Sequence, residues 1–417
     1  MITVLPEPRS LLRAFRLLSV LVLAVACDSS SPIATPDPDV PGPLDPPVGP
    51  PPPTFPEIPA SGEPVFSEGG IQVVPIARGL DHPWGLAFLP SGELLVSERA
   101  GRLRIFVDGE LKAAPVSGLP EPWVNGQGGL LDVATHPEFW TDSLLYVTQS
   151  SQTGDHGVTV EVVRARWTGS SLTGAEVIWT GVPGTPSSEQ RHFGSRLAFD
   201  LDGYLYVSMG DRHVRSEAQD PKNHQGTVSR IHDDGRIPDD NPFLDRAGVE
   251  PSIYAYGMRN PQGLAVHPGT GRLLESEHGP RYGDEVNLID AGDNLGWAAF
   301  SYGVEADGSP IGAQSEPPGM KTPLVYWDDT TIAPSGIDVY TGDRFPDWDG
   351  DLFVAALGAK GVIRVDLDGG LDVLGIEKLL GPWDKRIRHV RNGPDGFLYI
   401  LTDEENGGIY RLEPITD

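Results

Sequence analysis

The groups able to do chemistry stand in short polar loops spread along the chain. Gln127 lies in NGQGGL, His192 in RHFGSR, Arg259 and Asn260 in GMRNPQG, and Arg386 and Arg388 in DKRIRHV. An imidazole that titrates near neutrality can take a proton from a hydroxyl. Guanidinium groups bind carboxylates and stabilise developing negative charge. Among these loops, the stretch from Tyr256 to Trp297 carries His278, Gly279 and Pro280 in succession. A glycine-proline pair turns the chain and leaves carbonyls outside any sheet ladder, because proline has no N–H. Bare carbonyls beside carboxylates suit a hard cation such as calcium. Gathered in one place, such groups suit a poly-anionic, carbonyl-bearing ligand.

Each residue also has a plain structural reading. A histidine before an apolar strand is commonly packed or merely exposed, and arginines two apart mark one face of a strand. What favours function is the scaffold that would bring the loops together. A turn, often Asp-Gly, followed by an apolar strand recurs as SGELLVSE at 91, DSLLYVTQ at 142, DGYLYVSM at 202, TGRLLESE at 270, DGDLFVAA at 349 and DGFLYILT at 395. A strand usually precedes the turn, as in GLAVHP at 263, and another often follows, as in VIRVDL at 362. Such meanders show period-two alternation and cannot bury both faces alone, so they stack radially. Six units predict an all-β, six-bladed propeller of four-stranded antiparallel blades, with IQVVPIA at 71 pairing with the last blade to close the ring. Ligands of such rings bind at the mouth of the central channel, on loops from different blades.

The rest of the chain bounds the setting. With 51 Gly and 41 Pro in 417 residues, turns are frequent and strands outweigh helices. A net charge of −28 argues against nucleic acid as a partner. Arg9, Arg13 and Arg16 precede an apolar run, Leu17 to Ala26, which is too short to span a bilayer. The run ends in LAVAC, at the only cysteine, Cys27. This is similar to the lipobox of bacterial lipoproteins, in which the cysteine carries lipid. Residues 1–26 therefore read as a signal peptide and 27–66 as a Pro-rich tether. Residues 67–417 read as the propeller, exported to the periplasm or cell surface as a monomer or homodimer. The membrane is reached only through lipid at Cys27. Fourteen prolines between 28 and 64 predict an extended polyproline-type segment. At ~3.1 Å per residue, it reaches on the order of 100 Å.

Other motifs are missing. No G-x-G-x-x-G, Walker loop, G-x-S-x-G or H-E-x-x-H occurs, and the ten histidines lack zinc spacing. The DWDGD run at 347–351 starts like a calcium loop, but Gly358 stands where its closing glutamate belongs.

From Ile71 to Leu412 the chain resembles the soluble quinoprotein glucose/sorbosone dehydrogenase family, most closely the bacterial aldose sugar dehydrogenases. The resemblance rests on HFGSRLAFD, AQDPKNHQGTVSRIHDDGRIPDDNPF, YGMRNPQGLAVHP, EHGPRYGDEVN and RIRHVRNGPDGFLYILTD, in that order. It implies a six-bladed propeller holding pyrroloquinoline quinone (PQQ) and calcium, which oxidises aldoses at C1 to lactones and passes electrons to an unidentified acceptor. It further implies that His192 is the general base and that Arg259 faces the quinone oxygen gaining charge. Gln127 and Asn260 would also contact the quinone, and Arg386 and Arg388 would pair with its carboxylates near Ala356, Leu357 and Thr402. The carbonyls of Gly279 and Pro280 would hold the active calcium, and Glu285 with the Leu295 carbonyl a second one. Gly358 replaces a basic residue of relatives, so Lys360, two residues on, is expected to supply that contact. Arg191 stands where some relatives carry an acid, and its charge would disfavour a protonated His192. Two other readings remain at this point: a non-catalytic propeller binding carbohydrate or protein, and a metal-dependent lactonase with side-chain ligands converging on one ion.

Overall fold

The computed structural model describes residues 58–154 and 157–415. The expected signal peptide, Cys27 and most of the expected tether lie outside them. Six sheets follow one another along the chain. Blade one comprises Pro83–Phe88, Leu94–Glu98, Arg102–Val107 and Glu110–Leu111; blades two to five start at Leu130, Leu197, Pro261 and Pro334. Blade six joins Ile387–Asn392, Leu398–Thr402 and Gly407–Pro414 to Ile71–Leu80 from the other end of the described chain. The expected closure is present, with Val73 opposite Leu412 in antiparallel register. The first strands of the six blades touch in cyclic order around the axis.

Packing explains why the ring holds. Six apolar clusters each join two adjacent blades, and the last joins Ile76, Tyr399 and Ile409 of blade six to Leu86, Val96 and Phe106 of blade one. Each fully buried aliphatic side chain contributes about 1.5–3 kcal/mol relative to exposure. One sequence expectation changes here. The second strands, such as Leu94–Glu98 and Leu205–Met209, are buried at every position rather than on alternate faces. Neighbouring blades cover both of their faces, so the polar members of the alternation also need partners. Hydroxyls supply them. Ser97 donates to the carbonyl of Leu131, Thr148 to Ser195 at 2.7 Å, Ser208 to Pro261 at 2.8 Å and Ser276 to Ser335 at 2.9 Å. Each bond crosses to the following blade.

In the described part of the expected tether, residues 59–65 are exposed while its first residue is anchored to the propeller. Ile58 is buried, its carbonyl accepts from Arg411 at 2.8 Å, and Ser61 N–H donates to Pro75 O at 2.8 Å. Among the described residues no helix is long and apolar enough to cross a membrane. One hairpin, Phe300–Val304 with Pro310–Gly312, interrupts blade four before its last strand, Val325–Trp327.

Candidate active site

Two sets of loops reach the same mouth: those entering the first strand of each blade and those leaving the second. Their side chains enclose a cavity lined by Trp84, Arg99, Gln127, Leu131, Phe193, Gly194, Gln262, His278, Leu357, Arg386, Arg388 and Asp403. All six blades contribute, as a central channel requires.

His192 stands beside this cavity on a strained backbone, with φ of 55°. Its N–H donates to Gln127 Oε1 at 2.8 Å, and buried Arg212 donates to the carbonyls of Glu189 and Arg191, which fixes the loop from both sides. The ring Nδ1 lies 2.7 Å from Asp211 Oδ1, and Trp297 Nε1 donates to Asp211 Oδ2 at 2.7 Å. Burial lowers the His192 pKa, and the Arg259 charge lowers it further, against the opposing pull of Asp211. The imidazole is therefore neutral near pH 7. With Nδ1–H committed to a carboxylate, Nε2 carries the free lone pair.

Arg259 is tied down on three sides. Its N–H donates to Glu277 Oε2 at 2.5 Å, its guanidinium donates to His278 O at 3.1 Å, and its carbonyl accepts from Asp211 N–H at 2.8 Å. Asn260, fully buried, accepts from Gly194 N–H at 3.3 Å. Gln127, His192, Arg259 and Asn260 thus form one connected group. Across the cavity, Arg386 and Arg388 share Asp403 at 2.9 and 3.0 Å, and Arg388 also donates to Gln262 Oε1 at 2.8 Å. The two guanidinium charges hold the Asp403 pKa well below the usual carboxylate range despite its burial.

The donor set fits an anionic ligand. One buried nitrogen of a cavity-lining residue, Arg388 Nε, has no hydrogen-bond partner. A cation also fits nearby. The Gly279 and Pro280 carbonyls accept no hydrogen bond among the described residues, and their loop is pinned by Gly279 N–H donating to Asp284 at 2.8 Å. A second, small cavity is lined by Gly279, Glu277, Glu285 and Leu295. Glu277 and Glu285 face each other across paired strands; burial raises both pKa values, and the Glu277 charge raises that of Glu285 further. Buried carboxylates facing each other lack a counter-charge that a cation would supply. Among the described residues no three His, Cys, Asp or Glu side chains group as a metal cage, so such a site would draw on main-chain oxygens.

One expected contact lies elsewhere. Lys360 does not reach the cavity; its ammonium pairs with Asp384 at 3.0 Å on the surface, because the chain turns there with Lys360 at φ 54°. Ala356 and Thr402 are fully buried at the ends of second strands, directly before Leu357 and Asp403, which line the cavity. Asp211, Asp403, Gln262 and Arg99 were not singled out in the sequence. The signal for three of them is a charged residue one or two positions after a second strand, as in SER at 97–99, MGD at 209–211 and LTD at 401–403.

Comparison with known proteins agrees with this geometry. Residues 80–411 match the family described as glucose/sorbosone dehydrogenase. The chain is 41% identical over 340 residues to the aldose sugar dehydrogenase YliI of Escherichia coli K12, covering 80% of this chain and 91% of that protein. It is 29% identical over 414 residues to quinoprotein glucose dehydrogenase B of Acinetobacter calcoaceticus, covering 79% and 84%. The apo-form crystal structure of the soluble E. coli aldose sugar dehydrogenase superposes with a TM-score of 0.79 at 39% identity, covering 83% of this chain and 100% of that one. The PQQ-bound aldose sugar dehydrogenase of Streptomyces coelicolor gives 0.69 at 28% identity, covering 84% and 99%. With its propeller, its arginine-lined channel mouth and a family match across nearly every blade, the chain belongs to the glucose/sorbosone dehydrogenase family of sugar dehydrogenases.

Proposed function

We propose that this protein oxidises aldose sugars at C1 to lactones, using PQQ and calcium. The observation that carries the reading is a neutral, buried imidazole, oriented by Asp211 at 2.7 Å, beside a cavity walled by arginines. His192 Nε2 takes the anomeric hydroxyl proton as the hydride leaves C1. Asp211 then stabilises the imidazolium that results. Arg259 balances negative charge on the acceptor side, and the bond of its guanidinium to the His278 carbonyl holds it in place. Arg386 and Arg388 would hold the cofactor carboxylates, Gln127 and Asn260 its flank, and the Gly279 and Pro280 carbonyls the calcium, with Glu285 and the Leu295 carbonyl at a second calcium. When bound, the quinone with its calcium supplies the two-electron acceptor that no side chain provides. The enzyme works outside the cytoplasm, anchored through Cys27; the arginine-led apolar run before that cysteine supports this placement.

The test is a titration of purified, chelator-treated protein with PQQ, with and without calcium, followed by a panel of aldoses and an artificial electron acceptor. Calcium-dependent binding and sugar-dependent bleaching of the quinone are expected. His192→Ala should keep the binding and lose turnover by about 10²–10⁴-fold. A wild type that binds no PQQ in calcium rules the reading out.

A further inference from the structure

The cavity lacks the basic contact expected at Gly358, and Lys360 is spent on Asp384 at the surface. It nevertheless has a third guanidinium. Arg99 follows the second strand of blade one and lines the same cavity as Arg386 and Arg388 of blade six. Its backbone is fixed: the N–H donates to His82 O at 3.1 Å, and a Cβ on Gly129 of blade two would lie 1.8 Å from the Arg99 carbonyl oxygen. His82 in turn faces Asp403 at 3.3 Å. The Arg99 side chain, half-buried, has no hydrogen bond or ion pair among the described residues. Asp403 is the single carboxylate lining the cavity, and Arg386 and Arg388 already share it. Three guanidiniums against one carboxylate leave a surplus of two formal positive charges in a partly desolvated space. Like charges so placed are costly unless an anion joins them.

We infer that Arg99 is a carboxylate-binding residue of the cofactor site, approaching from blade one and supplying the cation that Gly358 does not. This rests on the reading that the cavity holds PQQ, a tricarboxylate. Arg386 and Arg388 come from one strand and reach one side of the ligand, whereas Arg99 comes from the adjacent blade and engages a separate carboxylate. A guanidinium suits this task because its fork matches the two carboxylate oxygens.

The experiment titrates wild type, Arg99→Ala and Arg99→Lys with PQQ in calcium, by quinone absorbance, and repeats the titration with PQQ trimethyl ester, whose carboxylates are masked. Arg99→Ala should raise the Kd for PQQ about tenfold or more, Arg99→Lys should recover part of the loss, and the ester should bind wild type and Arg99→Ala alike. Equal PQQ affinity in wild type and Arg99→Ala overturns the inference and leaves the cofactor reading standing. Equal weakening toward acid and ester, with a lowered melting temperature, shows only a structural role and also overturns it. Failure of wild type to bind PQQ removes the cofactor reading, and the inference with it.

Discussion

Asp211 Oδ1 lies 2.7 Å from His192 Nδ1, and the same carboxylate accepts from Trp297 at 2.7 Å through its other oxygen. Both Asp211 and His192 are buried. The aspartate therefore cannot rotate away without losing two partners, and it fixes both the tautomer and the tilt of the imidazole.

That pair sets the pH dependence. Burial and the Arg259 charge lower the His192 pKa, so the acidic limb of turnover should fall below pH ~6.5, the ordinary histidine value. Asp211 acts in the opposite sense, raising the His192 pKa. Asp211→Asn should consequently move the limb further down while cutting maximal kcat by about tenfold to a thousandfold, because the tautomer is no longer imposed. A pH–rate profile of the variant checks both parts. A limb that moves up, or an unchanged kcat, contradicts the assignment.

Arg386 and Arg388 contact the same aspartate yet should behave differently. The Arg388 side chain is 7% exposed and that of Arg386 45% exposed. Arg388→Ala strands buried Asp403 and Gln262, and loss of a buried ionic partner costs about 3–5 kcal/mol. It should lower the melting temperature as well as PQQ affinity. Arg386→Ala removes a solvent-screened partner worth about 1 kcal/mol or less, so affinity should fall with little change in melting. Thermal unfolding beside PQQ titration separates the two, and identical melting losses would show that exposure is not the controlling variable.

Calcium should stabilise the fold itself. Glu277, Glu285 and the Leu295 segment surround one small cavity without a paired cationic side chain of their own beyond Arg259 at its edge. Chelation should lower the melting temperature, and calcium should restore it better than magnesium, which demands tighter octahedral geometry. In Glu285→Gln the calcium-dependent part of the shift should shrink. Melting curves with no response to either ion would remove the structural cation from blade four.

The ring was legible because its turns repeat. SGELLVSE, DGYLYVSM and TGRLLESE each mark a second strand, and each strand lies where the turn placed it. His192, Arg259 and Arg388 were visible as polar residues entering first strands. Asp211, Asp403 and Arg99 were not, because an acid or arginine after a strand usually reads as a solvated loop. Only the ring geometry shows that strand exits and strand entries share a mouth. Lys360 failed for a related reason: sequence distance gives no direction, and one residue at positive φ sends its side chain outward.

The hydroxyl bonds between blades do not run all the way round. Ser97, Thr148, Ser208 and Ser276 fasten the first four junctions, but Ala355 and Leu401 hold the matching positions in blades five and six. The junctions on either side of blade six are crossed by other groups instead: Tyr340 donates its hydroxyl to Gly396 O at 2.5 Å, Asn392 N–H donates to Asp338 at 2.8 Å, and His82 N–H donates to Glu404 O at 2.8 Å, beside apolar packing. Leu357, Arg388 and Arg99 line one cavity from blades five, six and one. A ligand seated among them acts as a further stitch across both seams, so loading the site slows exchange in strands it never touches.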